Sequence, residues 1–129
     1  MSNYYSEFKK IPGTTIFDAN QSRIGYHLNM FAMSLMKEEN RHEFKSNELV
    51  YLNKFPMTQE QRQAVLDRDY NKMILAGGNI YFLAKVGATD GHSFQKLASL
   101  MTGMSEEDYR QMMISGGRKP NMPVGPVEL

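Results

Sequence analysis

The sequence predicts an all-α fold, and three observations carry that expectation. Apolar residues recur at helical spacing between about residues 20 and 37 and again between 59 and 76. Helix-start residues stand before four segments, at Thr58, Asn79, Ser93 and Ser105. No two strand-like runs exist that would pair into a sheet. The expected architecture is one irregular multi-helical domain over residues 1–129, with its core at 11–117, about five to seven helices and an extended tail at 118–129.

Each element follows from local chemistry. The first twenty residues read as connection, with a turn at Ile11–Thr15, "IPGTT", where Pro12 presets φ and Gly13 admits a positive one. A helix starts near Asn20 or Ser22 and runs to about Lys37. A polar helix covers about Glu39 to Phe55, with a break near Ser46-Asn47, and Pro56 disfavours its continuation. Thr58 followed by Gln61 is a capping-box pattern. Behind it Val65, Tyr70, Met73 and Ile74 recur among charges until Gly77-Gly78 stops the helix. Asn79 caps the apolar run "IYFLAKVGA". A buried strand is the alternative there, but it would lack a pairing partner. Ser93 caps "FQKLASLMT". Ser105 caps "EEDYRQMMIS", whose Glu106, Glu107 and Asp108 sit where the helix dipole favours acids. Gly116-Gly117 ends it, and Pro120, Pro123 and Pro126 keep the tail extended.

Composition narrows function by exclusion. The chain of 129 residues carries 15 basic and 14 acidic side chains, a net charge of +1. Lys9-Lys10 and Arg118-Lys119 are isolated pairs, so the basic stripe of a nucleic-acid binder is missing. There are no cysteines, which excludes disulfides, thiolate metal sites and a cysteine nucleophile. The N-terminus has no apolar signal-peptide core and no run approaches the ~18 apolar residues of a membrane span. A cytoplasmic location is the expectation.

Catalytic patterns are missing as well. The histidines are His27, His42 and His92, with no HExxH and no pair at metal-ligand spacing. No GxSxG occurs, and the glycine pairs do not follow a strand in a βαβ unit. No catalytic residue and no metal ligand is expected in this chain.

What the chain has instead is surplus apolar surface. Eleven residues are methionine, a flexible side chain suited to irregular packing and adaptable interfaces. On a helical wheel Ile24, Leu28, Phe31 and Leu35 form one stripe, while Tyr26, Met30 and Met33 lie roughly opposite and Met36 between. A surface helix has one apolar face. Either this helix is central and wrapped by its neighbours, or its Tyr/Met stripe meets another chain.

Several blocks, "IPGTTIF", "SRIGYHLNMFAMSLMKEENRHEFK", "AVLDRDYNKMILAGGNIYFLAKVGATDGHSFQ" and "MTGMSEEDYRQMMISGGR", resemble the small (alpha) subunits of the protocatechuate 4,5-dioxygenase family of class III extradiol ring-cleaving enzymes. The similarity spans about residues 11 to 118. It implies an all-helical subunit that covers the active-site mouth of a beta subunit in an α2β2 assembly. By the same resemblance, Fe(II) is bound by the beta subunit, on two His and one Glu, and not by this chain. The implied reaction opens protocatechuate with O2 to 4-carboxy-2-hydroxymuconate semialdehyde, in bacterial breakdown of lignin-derived aromatics. The resemblance further implies that the turn Asp90-Gly91-His92-Ser93 presents Phe94 to the substrate pocket, so that His92, Ser93 and Phe94 form a lid. The alternative for Phe94 is a core residue at a helix start. Tyr81 and Phe82 are expected mainly as packing residues. Related enzymes acting on gallate, O-methylgallate or aminophenol are alternatives, and a free-standing helical adaptor is another.

Overall fold

In a computed structural model, the structure describes residues 15–117. These form nine helices with no strand among them. They are α1 (Ala19–Ile24), α2 (Tyr26–Ser34), α3 (Glu38–Ser46), α4 (Glu48–Leu52), α5 (Gln59–Leu66), α6 (Tyr70–Leu75), α7 (Ile80–Thr89), α8 (Phe94–Thr102) and α9 (Glu106–Ile114). The helical class is as expected, but the segments are shorter and more numerous. The helix expected from Asn20 to Lys37 is interrupted at Gly25, and that expected from 59 to 76 at residues 67–69. The turn at Ile11–Thr15 lies almost wholly outside the described residues, and the tail 118–129 entirely so.

The caps follow local chemistry closely. Thr58 and Gln61 make the reciprocal capping box, with Thr58 N donating to Gln61 Oε1 at 3.0 Å and Gln61 N to Thr58 Oγ1 at 3.1 Å. Asn79, Ser93 and Ser105 each accept a backbone N–H from the first turn they precede. Asn47 breaks α3 from α4 and caps the latter. The first helix is capped by Asp18 rather than by Asn20 or Ser22: its Oδ1 accepts from Gln21 N at 2.8 Å.

The described residues gather into two compact units, one of residues 17–91 and a second that includes residues 92–117. In the first, Leu28, Phe31, Ala32 and Leu35 of α2 are buried with Phe44, Tyr51, Leu52, Val65, Met73, Leu83 and Val86. Phe31 meets Phe44, Tyr51 and Phe55 edge-on, with ring centres 5.2, 6.1 and 5.8 Å away. Ile24, the fourth member of the expected core stripe, is instead 51% exposed. It belongs to α1, and the bend at Gly25 removes it from the wheel that α2 obeys. In the second unit α8 packs on α9, joined through Gly103 in the left-handed region at φ 76°. On α9, Gln111 and then Arg110 hydrogen-bond Glu107 and hold its carboxyl below the usual range.

Two glycines set how closely helices approach in the first unit. A Cβ on Gly25 would lie 1.9 Å from the Gly77 carbonyl oxygen, and one on Gly77 would lie 2.4 Å from Gly25 N. Three amide side chains seal this junction by taking up helix-end carbonyls. Gln61 donates to Ile24 O and Ala76 O at 3.1 and 2.9 Å. Gln21 donates to Ile74 O and Leu75 O, both at 3.0 Å. Asn29 donates to Gly77 O at 3.1 Å and accepts from Asn79 N at 2.8 Å. Thus α1, α2, α5, α6 and α7 meet around one hydrogen-bonded seam.

Among the described residues, one buried side-chain polar atom is left without a hydrogen bond. The Tyr70 hydroxyl has no partner in the structure. Burial, and then the Asp90 carboxylate, push its pKa up to about 12, partly opposed by Arg68. Tyr70→Phe is therefore expected to leave stability unchanged or raise it by up to about 1 kcal/mol at neutral pH, since only an unsatisfied hydroxyl is removed. The fold favours the neutral phenol. That contribution is complete below the ordinary value of 10 and is lost as pH rises through about 12. Urea unfolding at pH 7 and across pH 10–12 should show wild type losing more stability in alkali than Tyr70→Phe.

Among the described residues, no helix is long and apolar enough to cross a membrane.

Candidate functional site

The α2 edge and the turn leading to Phe94 are the two places where expected site residues fall. Tyr26 is the first residue of α2 and is 55% exposed, while Met30, one helical turn on, is 36% exposed. Met33, a turn further, is half-buried. The opposite stripe of α2 is in the core, so this helix is neither fully wrapped nor polar on its outer side. Exposed Ile24 precedes Tyr26 across the Gly25 bend and extends the apolar edge. Tyr81, expected as packing, is 72% exposed in the first turn of α7. The Gly25–Gly77 seam brings together the starts of α2 and α7, the helices whose first turns carry the two exposed tyrosines. Phe82 is half-buried, with its ring edge-on to Tyr81 at 6.1 Å.

The second place begins at the end of α7. Asp90 closes that helix and Gly91 follows in the left-handed region at φ 84°. His92 is half-buried. Ser93 is the cap of α8, its hydroxyl accepting from Lys96 N at 3.1 Å. Phe94 is the first residue of α8 and is 62% exposed. It is therefore not a core residue of this chain, and a 62% exposed phenyl ring at a helix start is available to a ligand or to another surface.

Behind Asp90 stands a network that spacing along the chain did not indicate. Arg68 donates from Nε and Nη2 to Asp90 at 2.6 and 3.2 Å, and from Nη1 and Nη2 to Glu48 at 3.0 and 2.7 Å. Its Nη1 also reaches Val65 O at 2.7 Å, and the guanidinium lies 5.2 Å from the centre of the Phe44 ring. Burial pulls its pKa down, but hydrogen bonds and charge from Asp90 and Glu48 outweigh that and raise it above the ordinary value. Arg68 itself holds φ 54°, the one positive φ outside glycine among the described residues. Residues 20 and 22 positions apart on irregular segments leave no periodic signature. The only sequence-level hint is an arginine in the turn "LDRDY".

The three histidines do not converge. His27 is exposed and stacks edge-on with Tyr26 at 5.1 Å, His42 lies 3.4 Å from Glu38 on exposed α3, and His92 is in the turn. Among the described residues, no group of three His, Asp or Glu side chains is arranged to hold a metal ion. These side chains do not fit a three-residue ferrous site.

Comparison with known proteins adds two findings. Residues 28–114 match the model of a family described as "Aromatic-ring-opening dioxygenase LigAB, LigA subunit". The chain is also similar to a gallate dioxygenase of Pseudomonas putida, at 26% identity over 127 residues. That alignment takes in 94% of this chain but 37% of the relative, so the chain spans little more than a third of the protein it resembles.

Proposed function

Because the chain belongs to the LigA-subunit family of aromatic-ring-opening dioxygenases, we propose that it is the non-catalytic alpha subunit of a two-chain extradiol dioxygenase. In this assignment it docks on a beta subunit that holds Fe(II), and it caps the substrate cleft of that subunit in an α2β2 assembly in the cytoplasm. The reaction is the O2-dependent opening of protocatechuate to 4-carboxy-2-hydroxymuconate semialdehyde. The observation that carries the proposal is the match of residues 28–114 to a dioxygenase-subunit family. The similar gallate dioxygenase extends well beyond the alignment, which takes in 37% of its length.

The contribution of this chain is physical. Phe94 supplies an apolar wall that orients an aromatic ring, and the helical cap behind it keeps bulk water from the reacting groups. Ser93 fixes the first turn of α8 and so the ring's point of departure. His92 lines the turn without an acid–base role. An Fe(II) ion bound by the partner would supply the chemistry of oxygen activation, and no proton or electron is assigned to this chain.

The similarity to a gallate dioxygenase favours a second substrate assignment, gallate, in the same architecture. One reconstitution decides both points. The purified chain alone should contain no stoichiometric iron and open neither protocatechuate nor gallate. Mixed with its beta subunit under ferrous conditions, it should give a yellow ring-fission product, and the ratio of kcat/KM values ranks the substrates. A Phe94→Ala complex should keep its iron and lose on the order of tenfold in kcat/KM, the share expected of one buried phenyl wall. Ring opening by the chain alone would end the proposal. Loss of iron on Phe94→Ala would end the lid role.

A further inference from the structure

We infer that the junction of α1, α2, α6 and α7 is the face that docks on the beta subunit, and that the beta subunit meets it with an apolar centre and an acidic rim; this rests on the two-chain assignment proposed above. All four helices lie in the unit of residues 17–91. They are joined by contacts of Gly25 with Gly77, Asn29 with Asn79, Gln21 with Leu75, and Gln61 with Ile24 and Ala76. Five large apolar side chains of these helices are exposed, Ile24, Tyr26, Met30, Leu75 and Tyr81, and each stands at or close beside one of those contacts along the chain. Charge on the same helices is one-sided. They carry Arg23, Lys72 and Lys85 and no Asp or Glu, whereas α3, α4 and α5 carry Glu38, Glu39, Glu43, Glu48 and Glu60. The acids that flank them are engaged. Asp18 and Asp69 cap α1 and α6, accepting from Gln21 N and Lys72 N, and Asp90 at the end of α7 is taken up by Arg68. Among the described residues, Arg23, Lys72 and Lys85 enter no ion pair. Apolar side chains set among uncompensated cations fit a partner surface of opposite charge, because potentials across a specific interface are complementary. They do not fit a second copy of the same face across a two-fold axis, which would set cation against cation. Nor do three cations spread over four helices make the dense basic stripe that nucleic acid requires.

Association of the full chain with the purified beta subunit, followed kinetically at low and at high salt, is the test. Wild type should associate more slowly as salt rises. Arg23→Glu/Lys72→Glu should slow association on the order of tenfold at low salt, and the difference should close at high salt. Tyr81→Ser should raise Kd on the order of tenfold at either salt, mainly through faster dissociation. Arg23, Lys72 and Tyr81 are all exposed, so circular dichroism should report normal folding. Leu49→Ser and Lys45→Glu, exposed on α4 and α3, should leave both rates within about twofold. Rates unchanged by Tyr81→Ser and by the charge reversal would overturn the inference while the two-chain assignment stands. A chain that does not bind the beta subunit at all ends that assignment and this face with it. A loss on charge reversal that persists at high salt would overturn the acidic rim. Self-association that Tyr81→Ser abolishes, with affinity for the beta subunit intact, would give the face to a second copy and overturn the inference. Should the charge reversal not fold, Arg23→Gln/Lys72→Gln removes the charges without inverting them, and the same salt comparison applies.

Discussion

A Tyr26→Asp chain is expected to fold normally and to lose its partner. Tyr26 is exposed at the first position of α2, so no core contact is removed. A carboxylate at a helix start is favoured by the helix dipole, and the change in folding stability should stay within about 0.5 kcal/mol. In the complex, the same carboxylate would face an apolar interface without a counter-charge. Burying an unpaired charge costs several kcal/mol, which corresponds to a hundredfold or greater rise in Kd, on the order of tenfold for each 1.4 kcal/mol. Circular dichroism and urea unfolding report the first half of this expectation. Titration against the beta subunit reports the second, and ring-opening activity should fall in parallel at subunit concentrations near the wild-type Kd. Wild-type affinity in the variant would show that the Tyr26–Met30 edge is not where the partner sits.

Gly25→Ala should have the largest effect on folding. The added methyl would stand 1.9 Å from the Gly77 oxygen and 2.2 Å from its carbonyl carbon. Both are backbone atoms, so no rotamer change relieves the clash, and α2 must move away from the α6–α7 junction. That movement breaks the alignment of Asn29 with Gly77 and Asn79, and of Gln61 with Ile24 and Ala76. A loss of about 3 kcal/mol or more is expected, from overpacking together with amides left unpaired. A domain with a typical stability of roughly 5–15 kcal/mol retains little margin after that. Gly116→Ala is the control. Unlike Gly25, whose φ is −93°, Gly116 has a positive φ, 110°, but no atom lies within 4 Å of its Cβ, so about 1 kcal/mol of backbone strain is all that should appear. Urea midpoints of the two variants separate close approach from conformational strain. A Gly25→Ala chain as stable as the control would mean that the seam is looser than the structure gives.

The two variants illustrate different degrees of legibility. The exposed Tyr26 and Met30 were visible in advance as a second apolar stripe on one helical wheel, because helical periodicity is a local property. The Thr58–Gln61 box and the caps at Asn79, Ser93 and Ser105 were visible for the same reason: donor, acceptor and backbone lie within three residues. Gly25 was not singled out, since one glycine inside a helical pattern is compatible with a continuous helix. Its role depends on Gly77, 52 positions away. Gln61 was read as a capping residue, and its buried Nε2 serves two carbonyls of other elements besides.

The sequence by itself determined the helical class, most helix starts, the lack of cysteine chemistry and an apolar edge too large for a polar-faced helix. These follow from short-range spacing and composition, which the chain carries whatever its tertiary arrangement. Only the tertiary structure decided that Ile24 faces outward, that Gly25 and Gly77 touch, and that Arg68 joins Glu48 to Asp90. Each of these depends on segments distant in sequence meeting at ångström distances. Steric contact and charge-assisted hydrogen bonding act through space, and no residue pattern along the chain records where space is shared.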